Sequence, residues 1–217
     1  MTPHLNDRLD TLKDRMARLT ALVQQSAELA VHSVLTADPV VAQRVFDMDV
    51  RIDEEEVQIE QQAIDLLASQ PATSELRTIT IIIKANSDFE RIADCAVNVS
   101  QRVLPLVRGS YHAPADLRHM CNSVLSTLRD TIKAFNLADE SMARQVLRGD
   151  DVIDALYHQI AKDMLSRLET AGGDANLELS TIMIAKNMER IADHCTNVAE
   201  DVIYAQTGRI IRHMHAV

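Results

Sequence analysis

Eight carboxylates recur in this sequence as four pairs, each with three residues between its members: Asp49 and Asp53, Glu90 and Asp94, Asp150 and Asp154, Glu189 and Asp193. On a helix, side chains four residues apart share one face, one turn apart. Asn98 and Asn197 extend two of the pairs by a further turn, so those ridges line up oxygen-bearing side chains. Like charges at this spacing cost about 0.2–0.5 kcal/mol per pair, and a solvated acidic face is the simplest reading of any single pair. Two pairs converging from neighbouring helices would instead offer four hard oxygen donors, a set that suits Fe, Mn, Mg or Ca and admits Zn. Arg91 and Arg190, at matching sites, supply the competing explanation, which is internal neutralisation without a cation.

The elements that carry these pairs are predicted to be helices. Aromatic residues are only 3% of the chain, there is no Trp, and Gly and Pro number five each, which leaves little of the composition or turn chemistry that sheets require. Apolar residues recur at helical spacing over about 5–36, 39–69, 73–108, 113–137, 140–170 and 175–208, divided by Asp38-Pro39, Pro71, Pro105 to Pro114 and Gly172-Gly173. In the third segment Ile82, Ala85, Phe89, Ile92, Ala96, Val99 and Val103 step alternately by three and four. In the sixth, Thr181, Ile184, Met188, Ile191, Cys195, Val198, Val202 and Ala205 do the same. That is the seam of a helix packed at a shallow angle in a bundle, so Phe89, Met188 and Cys195 are expected in the core.

The chain also repeats itself. Asp38, Ala42, Val45, Asp49, Ile52, Asp53 and Ile59 fall on Asp139, Ala143, Val146, Asp150, Ile153, Asp154 and Ile160 with a constant offset. Phe89-Glu90-Arg91-Ile92-Ala93-Asp94 then meets Met188-Glu189-Arg190-Ile191-Ala192-Asp193 with an offset two residues shorter. The fold class expected is therefore all-α, a tandem repeat of two three-helix bundles, with residues 1–110 forming the first unit and 111–217 the second. Recurrence at equivalent positions in both copies is what raises the acidic pairs above a solvated ridge.

Charge and composition narrow the function. Thirty-two acids against twenty-two bases give a net charge of −10, which disfavours nucleic acid and anionic lipid as general partners. Three cysteines, Cys95, Cys121 and Cys195, without C-x-x-C spacing predict a reduced intracellular protein. The charged beginning has no apolar signal region, and the longest strongly apolar run, Ile81 to Ile83, is far short of a membrane span. Neither Glu-x-x-His, H-E-x-x-H, G-x-S-x-G nor a phosphate loop occurs, and Asp116-x-x-His119 stands once, without a copy in the other half. His194 flanks Asp193, whereas Cys95 holds that place in the first copy. His32 and His158 read as surface or packing residues within helices, and His213 and His215 as tail residues.

Glu90-Arg91-Ile92-Ala93-Asp94 and Glu189-Arg190-Ile191-Ala192-Asp193-His194, each preceded by an Asp-x-x-Ile-Asp stretch (Asp49 to Asp53, Asp150 to Asp154), resemble the PhoU family of phosphate-signalling proteins. The resemblance covers nearly the whole chain. It departs at Ala93 and Ala192, where the family often has Gly, and at Cys95. It implies multinuclear metal sites on the bundle surface, with iron or zinc held by Asp49, Asp53, Glu90, Asp94, Asp150, Asp154, Glu189 and Asp193. It implies a cytoplasmic, usually dimeric accessory protein that couples a phosphate ABC transporter ATPase to a sensor histidine kinase and restrains both when phosphate is ample. Two other classes remain open on the residues alone. One is a carboxylate-bridged metalloenzyme, a phosphatase or oxidase; the other is a metal-free helical scaffold whose acidic ridge binds a basic partner.

Overall fold

The computed structural model describes residues 3–107, 111–169 and 174–211. Gly109 and Ser110 at the expected junction, the Gly172-Gly173 break, and His213 and His215 lie outside these residues. The described chain forms six long helices, α1 (Pro3–Thr36), α2 (Pro39–Leu67), α3 (Thr73–Gln101), α5 (Ala115–Leu137), α6 (Glu140–Glu169) and α7 (Ala175–Thr207), with a single-turn helix, α4 (Val103–Leu106), after α3. No strand occurs among the described residues.

Local chemistry explains the boundaries. The Asp38 carboxylate caps α2, accepting from the Val40 and Val41 N–H groups at 2.8 and 3.3 Å, with Pro39 at the first helical position. Asp139 accepts from Met142 N at 3.0 Å, and Asp174 accepts from Asn176 and Leu177. At the start of α3 the Glu75 carboxylate reaches back to the Ala72 N–H at 2.8 Å. The third segment ends sooner than its apolar spacing predicts, at Gln101 rather than near 108. Pro105 is the reason, because it has no N–H to give the Gln101 carbonyl, and the chain restarts as the short α4.

The α1–α2–α3 and α5–α6–α7 groups each pack as a three-helix bundle, and α3 lies against α7 along the contact between them. Both seams face inward: Ile82, Ala85, Phe89, Ile92, Ala96, Val99 and Val103 are buried, as are Thr181, Ile184, Met188, Ile191, Cys195, Val198 and Val202. Ala205, at the end of the second seam, is half-buried. Apart from Thr181 and Ala205, these residues belong to one continuous core that runs through both halves. The Phe89 ring meets the Phe135 ring edge-on across the halves, 5.6 Å between centroids at 77°. Packing α3 on α7 places the acidic stripe of each helix beside a shared seam, which fixes where the candidate site lies.

Candidate metal centre

In the second half, α6 and α7 bring three carboxylates together. Oxygens of Asp150, Asp154 and Asp193 lie within 4.8 Å of one another. Asp150 and Asp154 are half-buried and Asp193 is exposed, so the cluster opens to solvent at the α7 edge. Burial pushes the Asp150 carboxyl up to about 6, with Asp154, Asp193, Asp151 and Glu189 adding repulsion. Asp193 is raised as well, first by burial and then by Glu189 and Asp154. The Asp150 Oδ1 atom is buried without a hydrogen-bond partner. A buried acceptor left unpaired costs free energy, and a cation seated among the three acids would satisfy it while cancelling their repulsion. The donors present therefore fit a hard cation.

Glu189, the fourth acid of this half, is turned to a different partner. The Lys186 ammonium donates to both its oxygens at 2.6 and 2.5 Å and stands 5.2 Å from the centre of the Tyr157 ring. His194 is likewise engaged elsewhere: its Nδ1 is 2.9 Å from Asp88 Oδ1 on α3, and Asn197 Nδ2 donates to the same oxygen at 3.1 Å. Asn197 therefore ties the two halves together instead of lengthening the acidic ridge.

The first half carries the same acids with a different neighbourhood. Burial, then Asp53 and Asp94, push the Asp49 carboxyl up to about 6, so the α2 and α3 acids feel each other's charge, but among the described residues the first-half acids do not gather three ligand oxygens within 4.8 Å as the second-half acids do. Glu90 is raised by burial and by Asp94. Here the arginine expected to compete is in place. Arg91 Nε lies 3.3 Å from Glu90 Oε2, and its Nη1 donates to Asp94 Oδ2 at 3.0 Å. Arg190, its counterpart, is exposed and makes no ion pair with another described residue. A cation at the first cluster must displace a guanidinium from two of its four acids, whereas in the second cluster only the Lys186 ammonium on Glu189 has to give way. The cysteines take no part. Cys95 and Cys195 are buried, with thiols pushed up to about 11 and about 12 by burial, which suits small core residues and not nucleophiles.

The PhoU domain matches this chain twice, over residues 16–103 and 117–202. The chain belongs to the PhoU family. Among relatives, the phosphate-specific transport system accessory protein PhoU homolog 1 of Thermotoga maritima is 32% identical over 209 residues, spanning 95% of this chain and 90% of that protein. The crystal structure of PhoU from Pseudomonas aeruginosa superposes with a TM-score of 0.90 at 29% identity, covering 94% of this chain and 99% of that one. The crystal structure of the phosphate transport system regulatory protein PhoU from Streptococcus pneumoniae gives 0.88 at 28% identity, covering 95% and 98%. All four acidic motifs fall inside the two PhoU matches.

Within this PhoU framework, several residues of the site lay beyond sequence reasoning. Glu56, raised by burial and by Glu60 and Asp53, adds a further acid to the first cluster, and Asn86 on α3 donates to its carbonyl and carboxylate. Its place was legible in principle, because Glu56 follows Asp49 by seven and Asp53 by three. Its equivalent in the second half is Tyr157, and Lys186 there stands where the first half has Ser87. The two PhoU repeats thus differ around a common set of acids: an additional carboxylate in one, a cation resting on an aromatic ring in the other. Asp88 gave no signal of its own, since its partners sit more than a hundred residues away on α7.

Proposed function

We propose that this protein is a non-enzymatic, cytoplasmic regulator of phosphate uptake and phosphate-starvation signalling, coupling a phosphate ABC transporter ATPase to a sensor histidine kinase and restraining both when phosphate is ample. The observation that carries the reading is the PhoU match over both repeats, joined to relatives described as accessory or regulatory proteins of phosphate transport. In agreement with a peripheral role, no helix among the described residues is long and apolar enough to cross a membrane. The acids of each half hold a cation in this reading, iron or zinc first, with Mg, Mn or Ca as alternatives. Asp150, Asp154 and Asp193, with Glu189 once Lys186 releases it, hold the second site; Asp49, Asp53, Glu90 and Asp94 hold the first. When bound, the cation supplies the positive charge that joins two neighbouring helices through their oxygens. The acids position it, and α2–α3 and α6–α7 thereby present a stiffened outer surface to partners, with a homodimer as the assembly.

The decisive experiment expresses this chain in a bacterium lacking its own PhoU protein and carrying a phosphate-starvation reporter. At high phosphate the reporter should return to its repressed level, and the transporter ATPase and sensor kinase should co-purify with the chain. A reporter that stays high despite normal expression would remove the regulatory reading. Elemental analysis of protein purified without chelators tests the metal separately: changing Asp49, Asp53, Glu90 and Asp94 to Ala should abolish metal in the first half alone.

A further inference from the structure

We propose that the outer face of α2 is a docking surface for a basic amphipathic helix of another protein. Val50, Val57 and Ile64 recur every seven residues along α2 and are 59%, 57% and 49% exposed. They form one apolar line about 21 Å long on the side turned away from the core. Their equivalents in the second repeat are Asp151, His158 and Leu165. The same three-helix unit is thus built on α6 with the line broken by a charge and an imidazole, so folding does not require it. What a duplicated fold does without in one copy is free to serve recognition in the other.

The flanks of the line choose its occupant. Glu60 lies along one side, Asp47 and Glu54 along the other, and all three are exposed. Over its whole length α2 carries eight acids and two bases, whereas α6 carries six and four. A second copy of α2 would set these acids against each other, and anionic lipid or nucleic acid would meet the same repulsion. A helix with apolar residues at heptad spacing and Lys or Arg beside them matches both the line and its borders. This surface extends the adaptor reading by naming the chemistry of a partner, and rests on that reading for its role in the cell. Peptide binding examines the surface alone. A chain that binds the peptide but fails to restore repression would remove the regulatory reading and leave the surface standing.

The probe is a fluorescein-labelled synthetic helix of 21 residues, with Leu at heptad a and d and Lys or Arg at e and g, titrated with the full chain and read by anisotropy. Saturable binding is expected. Val50→Asp/Val57→His, which places the second repeat's own residues on α2, should weaken it at least tenfold with an unchanged circular dichroism spectrum and melting temperature. Ile64→Asn, as an independent variant, should weaken it several-fold, and Val152→Asp on α6 should leave it unchanged. Raising NaCl from 50 to 300 mM should also weaken it several-fold. The proposal falls if the chain fails to bind the peptide, if a peptide with every Leu replaced by Ser binds equally well, or if the double variant binds like the parent. It falls too if sedimentation shows a dimer that the double variant dissociates, because a second copy then covers the face.

Discussion

Asp49 and Asp150 hold equivalent places in the two halves, and both carboxyls are raised from an ordinary 3.8 to about 6 by burial and by neighbouring acids. A raised carboxyl means that the folded state binds more protons than the unfolded chain between about pH 4 and 6. Stability of metal-free protein therefore falls as pH rises through that window, and the penalty is fully present above it. Both groups are partly open to solvent, which screens most of the effect and leaves about 1 kcal/mol between them. In the presence of chelator, the parent should lose about 2–4 °C of melting temperature between pH 4.5 and 7 relative to Asp49→Asn/Asp150→Asn. Equal pH slopes for the two proteins would show that these carboxyls are not perturbed by folding. A second expectation follows from the orphaned Asp150 Oδ1 and its neighbours. Asp150→Asn/Asp154→Asn/Asp193→Asn should lose the metal of the second half, measured by elemental analysis, and should melt no lower than the chelated parent, because the substitutions remove mutual repulsion. Retained metal would move the site elsewhere. At this scale the acids themselves were legible, because a spacing of four states its own geometry. Arg91 on Glu90 and Asp94 was legible too, but Lys186 on Glu189 in place of Arg190 was not: side-chain rotamers, not helical phase, decide which cation reaches which acid, and they decide differently in the two copies.

The turns from α1 to α2 and from α5 to α6 are built alike. In the first, Asp38 N donates to Ser33 O at 3.0 Å and Ala37 N to Val34 O at 3.3 Å. In the second, Asp139 N donates to Ala134 O at 2.9 Å and Ala138 N to Phe135 O at 3.2 Å. These are Schellman closures, each followed at once by an aspartate that caps the next helix. Such closures need a left-handed residue, and Ala37 and Ala138 adopt it with φ of 52° and 51°. An alanine there is strained by about 1 kcal/mol where glycine is not. Ala37→Gly and Ala138→Gly should each stabilise the protein by roughly 0.5–1 kcal/mol after glycine's entropic cost is counted, and together nearly additively, since the turns share no partner. Urea denaturation measures this; destabilisation by either change would contradict the reading of the turn. The aspartates announced these turns in the sequence. The left-handed alanines did not, because nothing in the side chain of alanine marks that conformation. Pro105 was likewise visible, but the apolar spacing continues past it to Val107, so spacing alone carried the third helix too far.

The duplication is written plainly in the sequence, yet two copies need not mean two independent bodies. Val99 and Val198, Ile92 and Ile191, and Cys95 and Cys195 all belong to one core, and α3 packs on α7 along their length. Polar contacts cross the same junction: Asp88 accepts from His194 and Asn197, and Lys84 pairs with the buried Asp201. Helical phase could not show this, since a stripe that faces its own bundle and one that faces a neighbouring bundle have the same period. If the core is continuous, the halves must unfold as one. Tyrosine placement provides the test, because Tyr111, Tyr157 and Tyr204 all lie in the second half and the chain has no Trp. In a Tyr204→Phe background, which removes the ring that Arg77 of α3 covers at 6.0 Å from its centre, tyrosine emission follows the second half, while far-ultraviolet circular dichroism follows both. Phe89 is fully buried in the first half, and Phe89→Ala should cost about 3–5 kcal/mol. In a molecule of this size that is a fall of roughly 6–20 °C in melting temperature. Both signals should fall together and by the same amount, as a single transition requires. Should tyrosine emission keep the parent's melting temperature while the dichroism splits into two steps, the α3–α7 contact joins two autonomous bundles, and a cation bound in one half would have no mechanical route to the other.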